Sequence, residues 1–136
     1  MGSNGSVVNS TKSIHFTVQG KPVPKGRPRL SVSKKTGKSH VYTPATTKSY
    51  ESMVGWAARA AMQGSDPLLC KVAVKIDLYH CNRLDIDNGA KSIMDGMNQI
   101  CFKDDDQVVE LTVRKFVVKE KLDERAEVEM DVLGEG

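Results

Sequence analysis

Residues 70–100 read CKVAVKIDLYHCNRLDIDNGAKSIMDGMNQI, and this stretch decides the fold. From Cys70 to Tyr79 apolar and polar side chains alternate, which is the period of a strand with one buried face. From about Asn88 to Ile100 the apolar residues recur every three or four positions, which is the period of an amphipathic helix. The stretch therefore predicts a strand followed by a helix, with a polar connection between them.

The flanking sequence predicts a small α+β domain around this pair. Thr43 and Pro44 open a first helix, as N-cap and first helical residue, and Gly64 ends it. Further strands are predicted at 13–19, 29–33, 40–42, 107–119 and 126–133, with a turn at 34–38. We expect residues 1–12 to be a flexible tail and 13–136 to form one domain, a small mixed sheet of about four to five strands with two helices packed on it.

The distribution of charge along the chain points to a polyanionic partner. Residues 1–50 contain no Asp or Glu and nine basic side chains, which leaves 11 basic and 17 acidic side chains, a net charge of −6, for the remainder. Opposite charge on the two parts of a chain is a hint of nucleic-acid or membrane interaction, and phosphate neutralisation supplies most non-specific DNA affinity. The alternative is a solvated basic loop. The basic residues are Lys12, Lys21, Lys25, Arg27, Arg29, Lys34, Lys35, Lys38 and Lys48.

Composition excludes several other classes of protein. No run approaches the roughly 20 apolar residues of a membrane span. The three cysteines form no CxxC pair, which argues against a secreted disulfide scaffold and favours a reducing cytosol. Cysteine and histidine spacing does not fit zinc, and Ala90 and Gly96 stand where an EF-hand needs Gly and Glu.

We also expect Trp56, on the first helix, to lie in the core rather than to serve as a base-stacking platform.

Clustered acids between the strand and the second helix suggest a metal site. Asp85 and Asp87 are two residues apart in an extended segment and project to the same side, and Lys91 follows one helical turn later. Two carboxylates about 4 Å apart repel by roughly 4 kcal/mol at an effective dielectric of 20, so a cation must offset them. Carboxylate oxygens of this kind suit Mg²⁺ or Mn²⁺.

A second acidic cluster, residues 104–106, lies just beyond that helix. The helix is about 18–20 Å long, so its far end can meet the first pair only if the chain folds back along it. Plainer interpretations remain open: Asp87 as a helix N-cap, the acidic triplet as a solvated turn, and Lys91 as a surface lysine.

The order and spacing of these motifs resemble the RusA family of Holliday-junction resolvases. The likeness covers about residues 14–132 and rests on KPVPKGRPR at 21–29, on Asp-x-Asp-Asn-x-x-Lys at 85–91, and on Asp-Asp-x-Gln-Val at 104–108. Matched by position, Asp85, Asp87 and Asp105 fall on the family's metal-binding acids, and Lys91 falls on its catalytic lysine. Gly89 departs from the family pattern, which has a bulky apolar residue there, and we expect it to loosen the first helical turn.

The resemblance implies a homodimeric, Mg²⁺-dependent endonuclease that cuts four-way DNA junctions by paired symmetric nicks. Mn²⁺ is expected to substitute for Mg²⁺, and the protein is expected in the cytoplasm, encoded by a bacterium or a phage. One alternative is a catalytically silent DNA-binding module, and another is a metal nuclease acting on other branched DNA. The residues expected to contact DNA phosphates are Lys21, Lys25, Arg27, Arg29, Lys34, Lys35 and Lys38.

Overall fold

The computed structural model describes residues 13–26, 29–32, 39–42 and 45–134. Three predictions, the flexible tail at 1–12, the turn at 34–38 and the helix opening at Thr43 and Pro44, lie outside the described residues. Two short 3-10 turns at Asp105–Gln107 and Lys121–Asp123 flank β5. The helices and strands are β1 (Ser13–Gln19), β2 (Arg29–Val32), β3 (Ser39–Tyr42), α1 (Ala45–Met62), β4 (Lys71–His80), α2 (Ile86–Met97), β5 (Val108–Val117) and β6 (Arg125–Gly134).

Four strands form one mixed sheet in the order β1-β6-β4-β5. β6 pairs antiparallel with both β1 and β4, whereas β4 and β5 are parallel. β2 and β3 form a separate antiparallel hairpin. The predicted α+β fold with two helices on a small mixed sheet is therefore confirmed, with the two short strands outside the main sheet.

The unit β4–α2–β5 fixes where the acidic residues stand. Parallel neighbouring strands need a crossover connection, and α2 supplies it. The helix therefore begins near the carboxyl end of β4 and ends near the amino end of β5. Its 12 residues span about 18 Å, and this length separates the two ends of the unit.

The core lies between the sheet and the two helices. The inward face of β4, with Ile76 and Leu78 fully buried, packs with buried residues of both helices such as Val54 and Ile93. The other face of the sheet carries the alternate, polar residues of β4 and β6. The predicted periodicity of β4 is thus confirmed, since its alternation separates these two faces.

The helix ends differ from the prediction in ways that local chemistry explains. α2 starts two residues earlier than expected, because Asp85 caps it. It stops before Ile100, since Gln99 adopts a positive φ of 68° and ends the helical path. α1 ends as predicted, at a turn in which Gln63 and Gly64 have φ angles of 51° and 80°.

The expectation that Trp56 lies in the core is wrong, because its side chain is 73% exposed. The buried face of α1 is formed by Tyr50, Val54, Ala58 and Met62, at intervals of four. Trp56 stands two residues from Val54 and Ala58, which places it on the opposite side of the helix. Among the described residues, no helix is long and apolar enough to cross a membrane.

Candidate active site

Asp85 and Asp87 stand at the amino end of α2, where β4 delivers the chain. Asp85 is the N-cap: its Oδ1 accepts hydrogen bonds from the backbone N–H groups of Asp87 (3.1 Å) and Asn88 (3.3 Å), and its Oδ2 accepts one from Asn88 Nδ2 (3.3 Å). The interpretation of Asp87 as the N-cap is therefore wrong, because Asp85 holds that position and Asp87 lies in the first turn. Both side chains are exposed, so Asp87 is open to a ligand.

Lys91 lies one turn further along α2 and is exposed. It shares a helix face with Asp87, yet in the described part of the chain the two are not within the 4.0 Å of an ion pair. Gly89, between them, is buried, and its backbone N–H donates to the carbonyl of Asp85 at 2.9 Å. The first turn is thus closed, and Leu78 fills the space that a side chain at position 89 would take, 2.9 Å from an added Cβ.

A cavity of about 430 Å³ adjoins Asp85, and two cationic side chains line it together with Pro24 and Leu84. These are Arg83 and Lys115, and Lys115 Nζ donates to the carbonyl of Leu84 at 2.8 Å. Neither cation was selected from the sequence. A usable signal existed for Lys115, because it interrupts an apolar alternation on β5.

The second acidic cluster, Asp104 to Asp106, forms the turn before β5. Each of the three residues offers one carboxylate oxygen, and these oxygens lie within 4.8 Å of one another. All three side chains are exposed, and Asp104 also caps the turn by accepting from the N–H of Asp106 at 3.2 Å. A hydrogen bond with Asp104 raises the pKa of Asp105, and burial and the charges of Asp104, Asp106 and Asp95 raise this pKa further. A proton is thus held more firmly there than on an ordinary Asp, as expected where carboxylates crowd without a cation.

Gln107 holds this acidic turn against the start of β4. Its Nε2 donates to the carbonyls of Leu68 (2.8 Å) and Cys70 (2.9 Å). Its Oε1 accepts from the backbone N–H groups of Lys103 (2.9 Å) and Asp104 (3.0 Å). Because both amide hydrogens and both acceptor positions are used, the turn is fixed at this end of the sheet.

The two acidic groups therefore stand at opposite ends of α2. Asp85 and Asp87 follow the carboxyl end of β4, whereas Asp105 precedes β5, whose first residue pairs with Val72 at the start of β4. A metal site needs about three ligand atoms close together. Among the described residues, the carboxylates of 104–106 meet this condition, and those of Asp85 and Asp87 do not join such a group. A single chain therefore does not bring the three predicted acids around one ion. The acidic turn stays at the carboxyl end of α2, and it is β5, after the turn, that runs back along the helix.

The predicted phosphate contacts are described in part. Lys25 is 19% exposed and binds two carboxylates, Glu51 Oε2 at 2.6 Å and Asp95 Oδ2 at 2.9 Å. Burial lowers the pKa of Lys25, but the hydrogen bonds and charges of Glu51 and Asp95 outweigh burial and raise it above its ordinary value. Its ammonium group thus ties the proline-rich loop to both helices.

Lys21 is exposed, and Arg29 begins β2. Arg27, Lys34, Lys35 and Lys38 lie outside the described residues. Phosphate binding by this set of basic residues stays a prediction.

Comparison with known proteins covers most of the described chain. A family model described as "Endodeoxyribonuclease RusA" matches residues 19–131. The chain is also 33% identical, over 129 residues, to a protein of Bacillus subtilis (strain 168) described as "Uncharacterized protein YqaN". That likeness covers 79% of this chain and 89% of the Bacillus protein. The matched residues include the acids at both ends of α2.

Proposed function

The chain belongs to the RusA endodeoxyribonuclease family, and on this premise we propose that it resolves four-way DNA junctions in the cytoplasm by Mg²⁺-dependent paired nicks. The family supports nuclease activity on Holliday junctions; the metal, the paired nicks and the dimer are our proposal. The observation that carries it is the exposure of the motif acids Asp85, Asp87 and Asp105. Asp85 also caps α2, but capping does not account for Asp87, whose exposed carboxylate lies in the first turn of the helix.

The donor set fits a hard divalent cation. All candidate ligands are carboxylate oxygens, which Mg²⁺ and Mn²⁺ prefer. Asp85 Oδ1 accepts two backbone N–H bonds, whereas Oδ2 accepts one side-chain bond and so keeps a lone pair available for a cation. When bound, the cation supplies an activated water and neutralises charge on the scissile phosphate. We assign its ligands to Asp85, Asp87 and Asp105.

The cationic side chains around Asp85 have roles that follow from their positions. Lys91 faces the same side of α2 as Asp87, so it can offset negative charge that develops on the phosphate in the transition state. Arg83 and Lys115 line the cavity beside Asp85, where they can hold a non-bridging phosphate oxygen or the neighbouring phosphate. Lys115 is held in place by its bond to the Leu84 carbonyl.

The separation of the acids supports a site shared between two copies of the chain. β5 is an edge strand of the main sheet, paired on one side with β4. Several apolar side chains of this strand are poorly covered: Val109 is 53%, Leu111 47% and Val117 76% exposed. An exposed apolar edge strand is a template for pairing with another chain.

Antiparallel pairing of β5 with the same strand of a second copy, about a two-fold axis, would bring the missing acid to each site. The amino end of the partner strand would then lie beside the carboxyl end of β5, about 10 Å, or two strand spacings, from β4. The partner's acidic turn would thus approach Asp85 and Asp87. Such a dimer holds two equivalent sites related by the same axis, which suits paired nicks in a two-fold symmetric junction.

The test is cleavage of a synthetic four-way junction, with and without Mg²⁺, beside linear duplex and flap substrates. We expect Mg²⁺-dependent paired nicks in the junction, and loss of nicking but retained junction binding in D87N. D131N is the matched control, because Asp131 lies on the sheet face away from the helices and pairs with no base among the described residues. Unchanged nicking by D87N would contradict the proposal, and binding without cleavage by the unaltered protein would favour the silent DNA-binding module. Equal cleavage of flaps would assign a broader branched-DNA specificity.

A further inference from the structure

A second concave surface lies between the helices, apart from the cavity at Asp85. It has a volume of about 800 Å³ and is lined by residues of α1 together with Asp95, Gly96 and Ile100. The walls of this surface on α1 include the aromatic side chain of Trp56. They also include two cationic side chains, Lys48 and Arg59, for which no ion pair is found among the described residues. We call this surface the α1–α2 groove.

Two glycines make the floor of the groove. A Cβ on Gly96 would lie 2.7 Å from Val54 Cβ and 2.8 Å from the carbonyl oxygen of Glu51, so the helix backbones meet closely there. Gly55 faces Gly96 from α1, with an added Cβ 3.2 Å from Ile100 Cδ1. Because neither residue has a side chain to fill the space above this contact, the groove stays open.

The net charge of the groove is +1 when Lys25 is counted together with the two acids that it binds. Glu51 and Asp95 are both bound by the ammonium group of Lys25, at 2.6 and 2.9 Å. Lys48 and Arg59 each lack a carboxylate within 4.0 Å among the described residues. They are eleven residues apart on one helix face, about 16 Å along the axis, so the groove has a cation towards each end.

Trp56 gives this groove an aromatic platform. Its indole is 73% exposed, and it stands between the two cations in sequence, beside the glycine floor. An indole presents a flat face on which any unpaired base can stack, whereas the bases of an intact duplex are already stacked on each other. An aromatic ring between separated cations is the pattern of a single-strand binding groove.

We propose that the α1–α2 groove binds a short single-stranded segment of the DNA substrate, with one base stacked on Trp56 and phosphates held by Lys48 and Arg59. This assignment rests on the proposed function for the identity of the nucleic acid. Asp95 and Ile100 line the groove at the carboxyl end of α2, and the acidic turn at 104–106 follows four residues after Ile100. A strand held there is therefore led towards the carboxylates that we assign to the metal.

Trp56 is the single tryptophan of the chain, so its fluorescence reports on the groove directly. The full-length protein is titrated with an oligothymidine and with a duplex of equal length, in EDTA so that no cleavage occurs. We expect the oligothymidine to quench the emission and the duplex to quench it weakly. By anisotropy of a labelled oligonucleotide, W56A binds about tenfold more weakly or worse, W56F keeps most of the affinity, and L69A, which removes another exposed apolar side chain, is unchanged.

The cations are tested by salt dependence. In K48A/R59A the slope of log affinity for the oligothymidine against log salt concentration should fall by about 1.4, since each phosphate contact on a single strand contributes about 0.7. The control K119A/K121A removes equal charge from exposed positions outside the groove, and its slope should not change.

Unquenched emission together with unchanged affinity in W56A would overturn the assignment. If sedimentation showed that W56A dissociates a dimer without loss of DNA affinity, the groove would belong to a second copy of the chain instead, which also overturns it. Neither readout involves cleavage. A protein that fails to nick junctions but is quenched by the oligothymidine would refute the proposed function and leave the groove as a single-strand site.

Discussion

Mixing two inactive variants tests whether the metal site is shared between subunits. If each site takes Asp85 and Asp87 from one chain and Asp105 from the other, D87N and D105N are each inactive alone. A mixed dimer then contains one site with both substitutions and one site with none. After free exchange of equal amounts, about half of the dimers are mixed and half of their sites are intact, so about a quarter of the nicking activity returns.

The assay follows nicks in a supercoiled plasmid that carries an extruded four-way junction. Because each mixed dimer has one intact site, we expect nicked circles rather than linear product from paired cuts. D85N mixed with D87N is the matched control: both acids come from the same chain, so every mixed site keeps one substitution and no activity returns. Restoration by neither mixture, from variants that still dimerise and bind the junction, would refute the shared site and require all three acids within one chain.

Three further substitutions test how the fold supports the site. G96A should lower the free energy of unfolding, measured by urea titration, by about 1–3 kcal/mol, because the added methyl would lie less than 3.0 Å from Val54 Cβ and from a backbone carbonyl oxygen. The control G55A should be near neutral, since the closest contact of its added methyl is the flexible end of a side chain. Equal losses in the two variants would contradict the packing argument. Q107A should lower the free energy of unfolding by about 1–3 kcal/mol, since the four hydrogen bonds that hold the acidic turn are lost. It should also raise the Mg²⁺ concentration needed for half-maximal nicking. If that Mg²⁺ concentration does not change, the acidic turn does not bind the metal. K115A should reduce nicking without changing Mg²⁺ affinity, as measured by nicking rate against Mg²⁺ concentration, and an unaltered rate would remove Lys115 from the site.

The sequence predicted β4 and α2 because their patterns are local. Alternation over 70–79 decides which face of the strand is buried, and the core confirms this for Ile76 and Leu78. The acids at 85–91 could likewise be placed at a strand-to-helix junction, since both elements are readable from their own residues. Which of the two acids caps the helix was missed because Asp fits the cap and the first turn equally well.

Features that depend on packing between distant segments could not be predicted in the same way. Trp56 is an aromatic residue on an alanine-rich helix, and only the helix rotation fixed by Val54 and Ala58 shows that it faces outward. Lys25 looked like a free phosphate ligand among basic neighbours, but Glu51 and Asp95, from two other elements, converge on it. The sequence gives the charges of such residues and not their partners.

The parallel pairing of β4 and β5 explains why a second copy is the less costly route to a complete site. Within one chain, moving Asp105 to the other end of α2 would break the register of β5 on β4 and the four hydrogen bonds of Gln107, each of which is worth about 1 kcal/mol. The proposed pairing of two copies along β5 would break none of these contacts and would remove part of the exposed Val109, Leu111 and Val117 from water. In the dimer that we propose, the same edge would gain apolar burial and bring each acidic turn to the other chain, so loss of dimerisation should abolish metal-dependent nicking even when every acid is intact.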